Sequence, residues 1–230
     1  MPAPAAKVGI SGDSPISTDL SLKICGADPV TRQLIDSVNA VCAAAEDRPG
    51  GSVLVRVSAG IADRWPGGDI DLVNKWERAL RRLEMLPAHT IGVIDGECGG
   101  TALEALLTTD YRIATPESYL VPPAAGGDLW PGMLIYRLTT QLGIAAVRNL
   151  VVSGAVMSAQ DAVVLGLVDE IAQDPPSTAR TALHDRGDGK ALAIRRRLLF
   201  EAPTHTFEEA LGVHLAACHR ALRAAAGASA

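Results

Sequence analysis

The residues able to do chemistry concentrate in Asp95 to Ala114, DGECGGTALEALLTTDYRIA, near the middle of the 230-residue chain. The paired glycines Gly99 and Gly100 let the backbone approach another group closely. They stand before a run, Thr101 to Thr109, with the composition of a helix packed on nearly every side. A helix that starts this way presents backbone N–H groups without intrahelical partners, and such groups hold negative charge. One carboxylate, Glu104, falls inside this apolar helix, where an unpartnered charge costs several kcal/mol. It reads either as an acid or base one turn from an anion site, or as a structural group bonded to backbone or paired with Arg112. Asp110 and Arg112 themselves read as a structural turn pair.

The elements that must position this stretch follow from periodicity. Thr90 to Ile94 has the length and β-branched content of a buried strand feeding the glycines. Upstream, Leu20 to Ile24 and Val53 to Val57 are strands, and Thr31 opens a helix to about Glu46 with Leu34, Ile35, Val38 and Val41 as its apolar stripe. Ser58 to Asp71 is a glycine-rich loop in which Pro66 fixes one torsion while Gly67 and Gly68 free the next two. Asp71 caps a helix from Leu72 to Met85 lined by Val73, Trp76, Leu80 and Leu83. Downstream come an irregular wall over Glu117 to Asp128, a helix opened by Pro131 and closed by Gly143, a second helix over Ala145 to Val152, and a short one started by Ser158 and ended near Gly166. The alternation of strands and helices predicts an α/β fold with parallel pairing. The chain divides into a loose leader (1–18), a core (19–175) and a helical C-terminal segment (176–230).

Composition narrows the function. A net charge of −5 without a dominant basic patch gives no reason to expect nucleic acid. Arg195-Arg196-Arg197 reads as a partly solvated helix face. No apolar run is long enough to span a bilayer, and no signal-peptide series precedes the core. Four cysteines, 25, 42, 98 and 218, lack pairing spacing and suit a reduced, cytoplasmic protein with incidental buried thiols. His214 and Cys218 share a helix face but have no further ligands, so no metal site is expected. Neither a phosphate-binding P-loop nor a nucleophile elbow occurs.

In the register of Asp95 to Ala114 the chain resembles the crotonase (enoyl-CoA hydratase/isomerase) superfamily, whose signature runs as a turn, a glycine cluster, a helix-borne Glu and Asp-x-Arg-x-Ala. Trp65-Pro66-Gly67-Gly68-Asp69-Ile70 is similar to the family's Phe-x-x-Gly-x-Asp-Leu/Ile loop, and Leu150 to Val168 to its Leu-x-x-Thr/Ser-Gly block. The resemblance implies a crotonase (ClpP-like) spiral of ββα units with a helical C-terminal region. It also implies a coenzyme A thioester as substrate with no tightly bound cofactor, and an oxyanion hole from the backbone N–H groups of Gly68 and Thr101, flanked by Gly67 and Gly100. Thr101 stands where the family has glycine and, being β-branched, tolerates unusual torsions less well.

The departures bear on function. Hydratases use two glutamates, because one proton must leave and another arrive. Glu104 matches the first, and Ala124 stands at the second, with Glu117 and Asp128 out of register. The loop that places a cation near coenzyme A is contracted to Cys25-Gly26-Ala27-Asp28, which leaves Arg32 as the nearest cation and Lys190 and Arg195 to Arg197 as substitutes. The short chain, the Lys75 to Glu84 helix, the GECGG turn and the missing glutamate are most similar to small accessory crotonases of 3,5-dihydroxyphenylacetyl-CoA biosynthesis. That implies a polyketide thioester as substrate, a type III polyketide synthase as partner, dehydration and aromatisation as the task, and a trimer or hexamer as the assembly. The other readings are a non-catalytic activator of the synthase and a stand-alone acyl-CoA hydratase or isomerase.

Overall fold

A computed structural model describes residues 9–10, 20–48, 50–58, 60, 69–122, 124–125, 128–184 and 189–228. In chain order these form β1 (Gly9–Ile10), β2 (Leu20–Cys25), α1 (Arg32–Glu46), β3 (Ser52–Ser58), α2 (Ile70–Glu84), β4 (His89–Asp95), β5 (Glu97–Gly99), α3 (Gly100–Leu106) and β6 (Tyr111–Ala114). There follow β7 (Tyr119–Val121), β8 (Ala124–Ala125), β9 (Asp128–Leu129), α4 (Met133–Leu142), α5 (Ile144–Ser153), β10 (Met157–Ser158), α6 (Ala159–Val164), β11 (Glu170–Ile171), α7 (Pro175–His184), α8 (Gly189–Glu201) and α9 (Phe207–Ala228).

The main sheet has the order β1-β2-β3-β4-β6-β11, parallel throughout except for β1. Strict alternation aims Leu20, Leu22 and Ile24 of β2 and Val53, Val55 and Val57 of β3 into one core, while Lys23 and Arg56 point away. The central strand β4 is buried on both faces, as parallel sheets require. Its Ile91 and Val93 join Ile113 and Ala179 in a second, smaller cluster beneath α7. The expected stripe of α1 is buried in full, and Thr31 Oγ1 accepts from Leu34 N at 3.1 Å.

Several expectations are corrected. The cap of α2 is Asp69, whose extended backbone lets Oδ1 accept from Leu72 N at 2.8 Å; Asp71 lies inside the first turn. The leader contributes β1, which pairs antiparallel with β2, and its remainder lies outside the described residues. The wall over Glu117 to Asp128 is built of strands: β7 joins β5 and β10 in a second sheet, and β8 pairs with β9. Cys42 and Cys98 are buried, whereas Cys25 is half-buried and Cys218 exposed, so only two thiols are interior.

The arginine cluster is a partly solvated face, with Arg195 and Arg197 exposed and Arg196 turned inward. Arg196 is buried and binds the carboxylate of Asp110 together with the carbonyls of Leu86 and Ala88, which fastens α8 to the edge of the sheet. Arg197 pairs with Glu201 on the surface at 2.7 Å. Among the described residues no helix is long and apolar enough to cross a membrane.

Candidate active site

Cys25, Ser58 and Asp95 are register partners, so the carboxyl ends of β2, β3 and β4 finish in one row. Ligands in open parallel sheets bind beyond such an edge. From Asp95 the chain turns at Gly96, runs through β5, and enters α3 at Gly100, whose φ of +52° is one that side-chain-bearing residues rarely adopt. A Cβ at Gly100 would overlap the carbonyl oxygen of Gly26, so the Cys25–Asp28 turn lies directly on the start of α3.

Thr101 follows inside the helix. The unusual torsion therefore falls on Gly100, and a β-branched residue is tolerated at the next position. The Thr101 side chain is buried and its hydroxyl donates to the carbonyls of Cys25 at 3.1 Å and Asp28 at 3.3 Å. Its backbone N–H is among the first-turn groups that have no acceptor within the helix.

One turn on, Glu104 is fully buried. Trp76 Nε1 donates to Oε2 at 2.7 Å, while Oε1 has no hydrogen-bond partner among the described residues. The N-terminus of α4 abuts that free oxygen: a Cβ at Gly132 would stand 3.2 Å from Oε1. Burial is the main force on this carboxyl and the negative charge of Glu77 adds to it, so its pKa is pushed up to about 8; the Trp76 hydrogen bond and the Arg137 cation oppose this more weakly. Around it, Arg137 Nη1 lies 2.8 Å from Glu77 Oε2, and Nε lies 4.0 Å from Glu84 Oε1.

Glu104 does not meet Arg112. The Arg112 guanidinium donates to the carbonyls of Leu106, Leu107, Thr109 and Leu167 and to Gln141 Oε1, closing the far end of α3. Nor do Asp110 and Arg112 form a turn pair, because Asp110 is taken by Arg196 and by Thr90. Both residues are structural, each toward a different partner.

The remaining expected residues divide. Gly100, Thr101 and Glu104 come together, whereas Gly67 and Gly68 lie outside the described residues. Arg32 is exposed at the first position of α1. Ala124 opens β8, and Glu117 is exposed in the turn before β7. Arg196 is buried in its pair with Asp110, which removes it as a substitute for the missing loop cation, while Arg197 pairs with Glu201 on the surface. No group of three His, Cys, Asp or Glu side chains able to hold a metal occurs among the described residues. A cleft of about 550 Å³ lies on the α7 side of the sheet, but its lining mixes Lys23 and Arg56 with Asp95 and Asp174, and neither Glu104 nor Thr101 reaches it.

The family model for enoyl-CoA hydratase/isomerase matches residues 62–184, just over half the chain. A protein from Amycolatopsis orientalis named enoyl-CoA-hydratase is 45% identical over 213 residues, covering 89% of this chain and 96% of its own. The chain belongs to the enoyl-CoA hydratase/isomerase (crotonase) family. The crotonase fold is matched by solved structures at low identity. An enoyl-CoA hydratase from Shewanella pealeana superposes with a TM-score of 0.73 at 17% identity, covering 95% of this chain and 88% of its own. AtuE from Pseudomonas aeruginosa gives 0.76 at 17%, covering 95% and 92%.

Sequence reading missed three groups around Glu104. Trp76 passed for core, although a buried indole N–H needs an acceptor and Glu104 was the one carboxylate placed in an apolar helix. Arg137 stands three residues after Leu134 and one before Leu138, on the buried stripe of α4, where a cation must find a carboxylate. Glu77, next to Trp76, is that carboxylate.

Proposed function

We propose that this crotonase acts on a polyketide thioester of coenzyme A as a dehydratase with a single acid, assisting a type III polyketide synthase in forming 3,5-dihydroxyphenylacetyl-CoA, in the manner of the accessory crotonase DpgB. The observation that carries this reading is the state of Glu104, a buried carboxyl with a pKa of about 8 and one unpartnered oxygen. At neutral pH such a group holds its proton and serves as an acid, which is what loss of a hydroxyl as water requires.

In this reading the thioester oxygen sits between the N–H groups of Thr101 and Gly68, with Gly67 and Gly100 leaving the backbone bare beside it. Arg32 is the cation closest in sequence to the coenzyme. Polyketide methylenes lie between two carbonyls, so their protons are acidic enough to pass to solvent water or hydroxide, and the two N–H donors hold the resulting enolate. Each donor of this kind is worth on the order of 100- to 1000-fold in rate. The enolate then expels the β-hydroxyl, which departs as water with the Glu104 proton. A hydratase must position water and move two protons, a task for paired carboxylates; in an already acidic polyketide solvent takes the carbon-bound proton, and the protein has only to deliver the one that leaves with the hydroxyl. A cytoplasmic trimer or hexamer belongs to the same reading.

Glu104→Gln tests it. We expect the variant to lose the enhancement of synthase product while still binding the synthase; full enhancement by the variant would mean that the protein activates the synthase by contact alone. The name of the 45%-identical relative favours a second reading, independent hydration of an enoyl-CoA. Turnover of crotonyl-CoA by the purified protein without synthase would establish that one instead.

A further inference from the structure

Glu104 is enclosed by three helices: its own α3, α2 carrying Trp76 and Glu77, and α4 carrying Arg137. Charge at this junction is arranged rather than incidental. Arg137 is almost wholly buried, with only 4% of its side chain exposed, and is held against Glu77 at 2.8 Å, with Glu84 farther off at 4.0 Å. A buried arginine between two carboxylates costs desolvation that an apolar residue of similar volume would avoid. The two charges do, however, act on the buried Glu104 carboxyl in opposite directions, and Trp76, which donates to that carboxyl, stands next to Glu77 on α2.

We propose that Glu77 and Arg137 are positioning residues for Glu104: their ion pair sets, from across the α2–α4 junction, whether that carboxyl holds its proton. Glu77 disfavours a second negative charge beside it and keeps Glu104 loaded. Arg137 offers compensation once the proton has left, so the carboxylate formed in the reaction is not stranded in an apolar pocket. The pair thus takes over the electrostatic part of what a second glutamate would contribute. This inference rests on Glu104 being the acid of the proposed reaction, but its test does not depend on that reaction.

Trp76 supplies the readout, because its indole N–H is bonded to the carboxyl in question and the chain holds only three tryptophans. The indole N–H resonance, assigned by its loss in Trp76→Phe, is followed in the full-length protein from pH 5 to 10. In the wild type we expect it to move with a midpoint near 8, and in Glu104→Gln to stay fixed. Glu77→Gln should lower the midpoint by about 1 pH unit, the usual scale for one nearby charge, and Arg137→Gln should raise it by a smaller amount. Arg137→Lys, which keeps the cation, should follow the wild type, and it decides the case together with Glu77→Gln if Arg137→Gln does not fold. A midpoint unmoved in Glu77→Gln, or moved in the same direction by Glu77→Gln and Arg137→Gln, overturns the proposal. Opposite shifts in a protein whose Glu104→Gln variant still enhances the synthase would leave the pair established and remove the dehydratase reading instead.

Discussion

A carboxyl whose pKa rises on folding carries a definite pH signature. Unfolded, Glu104 titrates near its ordinary value of 4.5, and folded it titrates near 8. Between these values the native state holds a proton that the unfolded chain has released, so this group's contribution to stability falls as pH rises from about 4.5 to about 8 and is level outside that window. Glu104→Gln removes the titration and keeps the shape. Urea unfolding at pH 5 and pH 9 should show the variant gaining on the wild type by a few kcal/mol at the higher pH, since one pKa unit corresponds to about 1.4 kcal/mol. An equal difference between the two proteins at both pH values would mean that Glu104 is already ionised in the folded state. At this scale the sequence was half legible. Glu104 stood out as a charge in an apolar helix, but its partner Trp76 lies 28 residues away on another helix, and no local pattern encodes that pairing.

At the scale of elements, helix faces and long strands were readable because burial imposes a period over many residues, as in the α1 stripe and the β3 alternation. The second sheet was not, because β5, β7 and β10 are only two or three residues each and their pairing is non-local. The Cys25–Asp28 turn was read as a contraction of the loop that places a cation near coenzyme A. The structure gives it a second role as the surface that Gly100 and Thr101 grip. Gly100→Ala should destabilise by more than about 3 kcal/mol, combining the left-handed torsion with overlap against backbone that cannot yield. Thr101→Val should cost about 1–2 kcal/mol by deleting the hydroxyl donor, and Thr101→Ser should recover most of it. Denaturant midpoints for the three variants check the ranking, which would be wrong if valine proved as stable as threonine.

Across the whole molecule, the tail was expected as a helical segment, and α7, α8 and α9 make it one. What the sequence concealed was the fastening. Arg196 was read only as part of a partly solvated helix face because its partners, Asp110 and the carbonyls of Leu86 and Ala88, lie about a hundred residues earlier. Arg196→Ala removes one member of a mostly buried pair and should cost about 3–5 kcal/mol. In a domain of this size that lowers the thermal midpoint by roughly 6–20 °C. A shift under about 2 °C would mean the pair is mere decoration.

Asp110 accepts not only from Arg196 but also from the amide and hydroxyl of Thr90, while its own amide donates to the Thr90 carbonyl at 3.0 Å. One carboxylate thus closes the beginning of the central strand and anchors the tail. The C-terminal helices cannot lift away without leaving that carboxylate short of its cation against β4, which makes tail and sheet one cooperative unit. In hydrogen-exchange terms, the Thr90 and Asp110 amides should open only with the whole protein in the wild type, and by local release of the tail once Arg196 is gone.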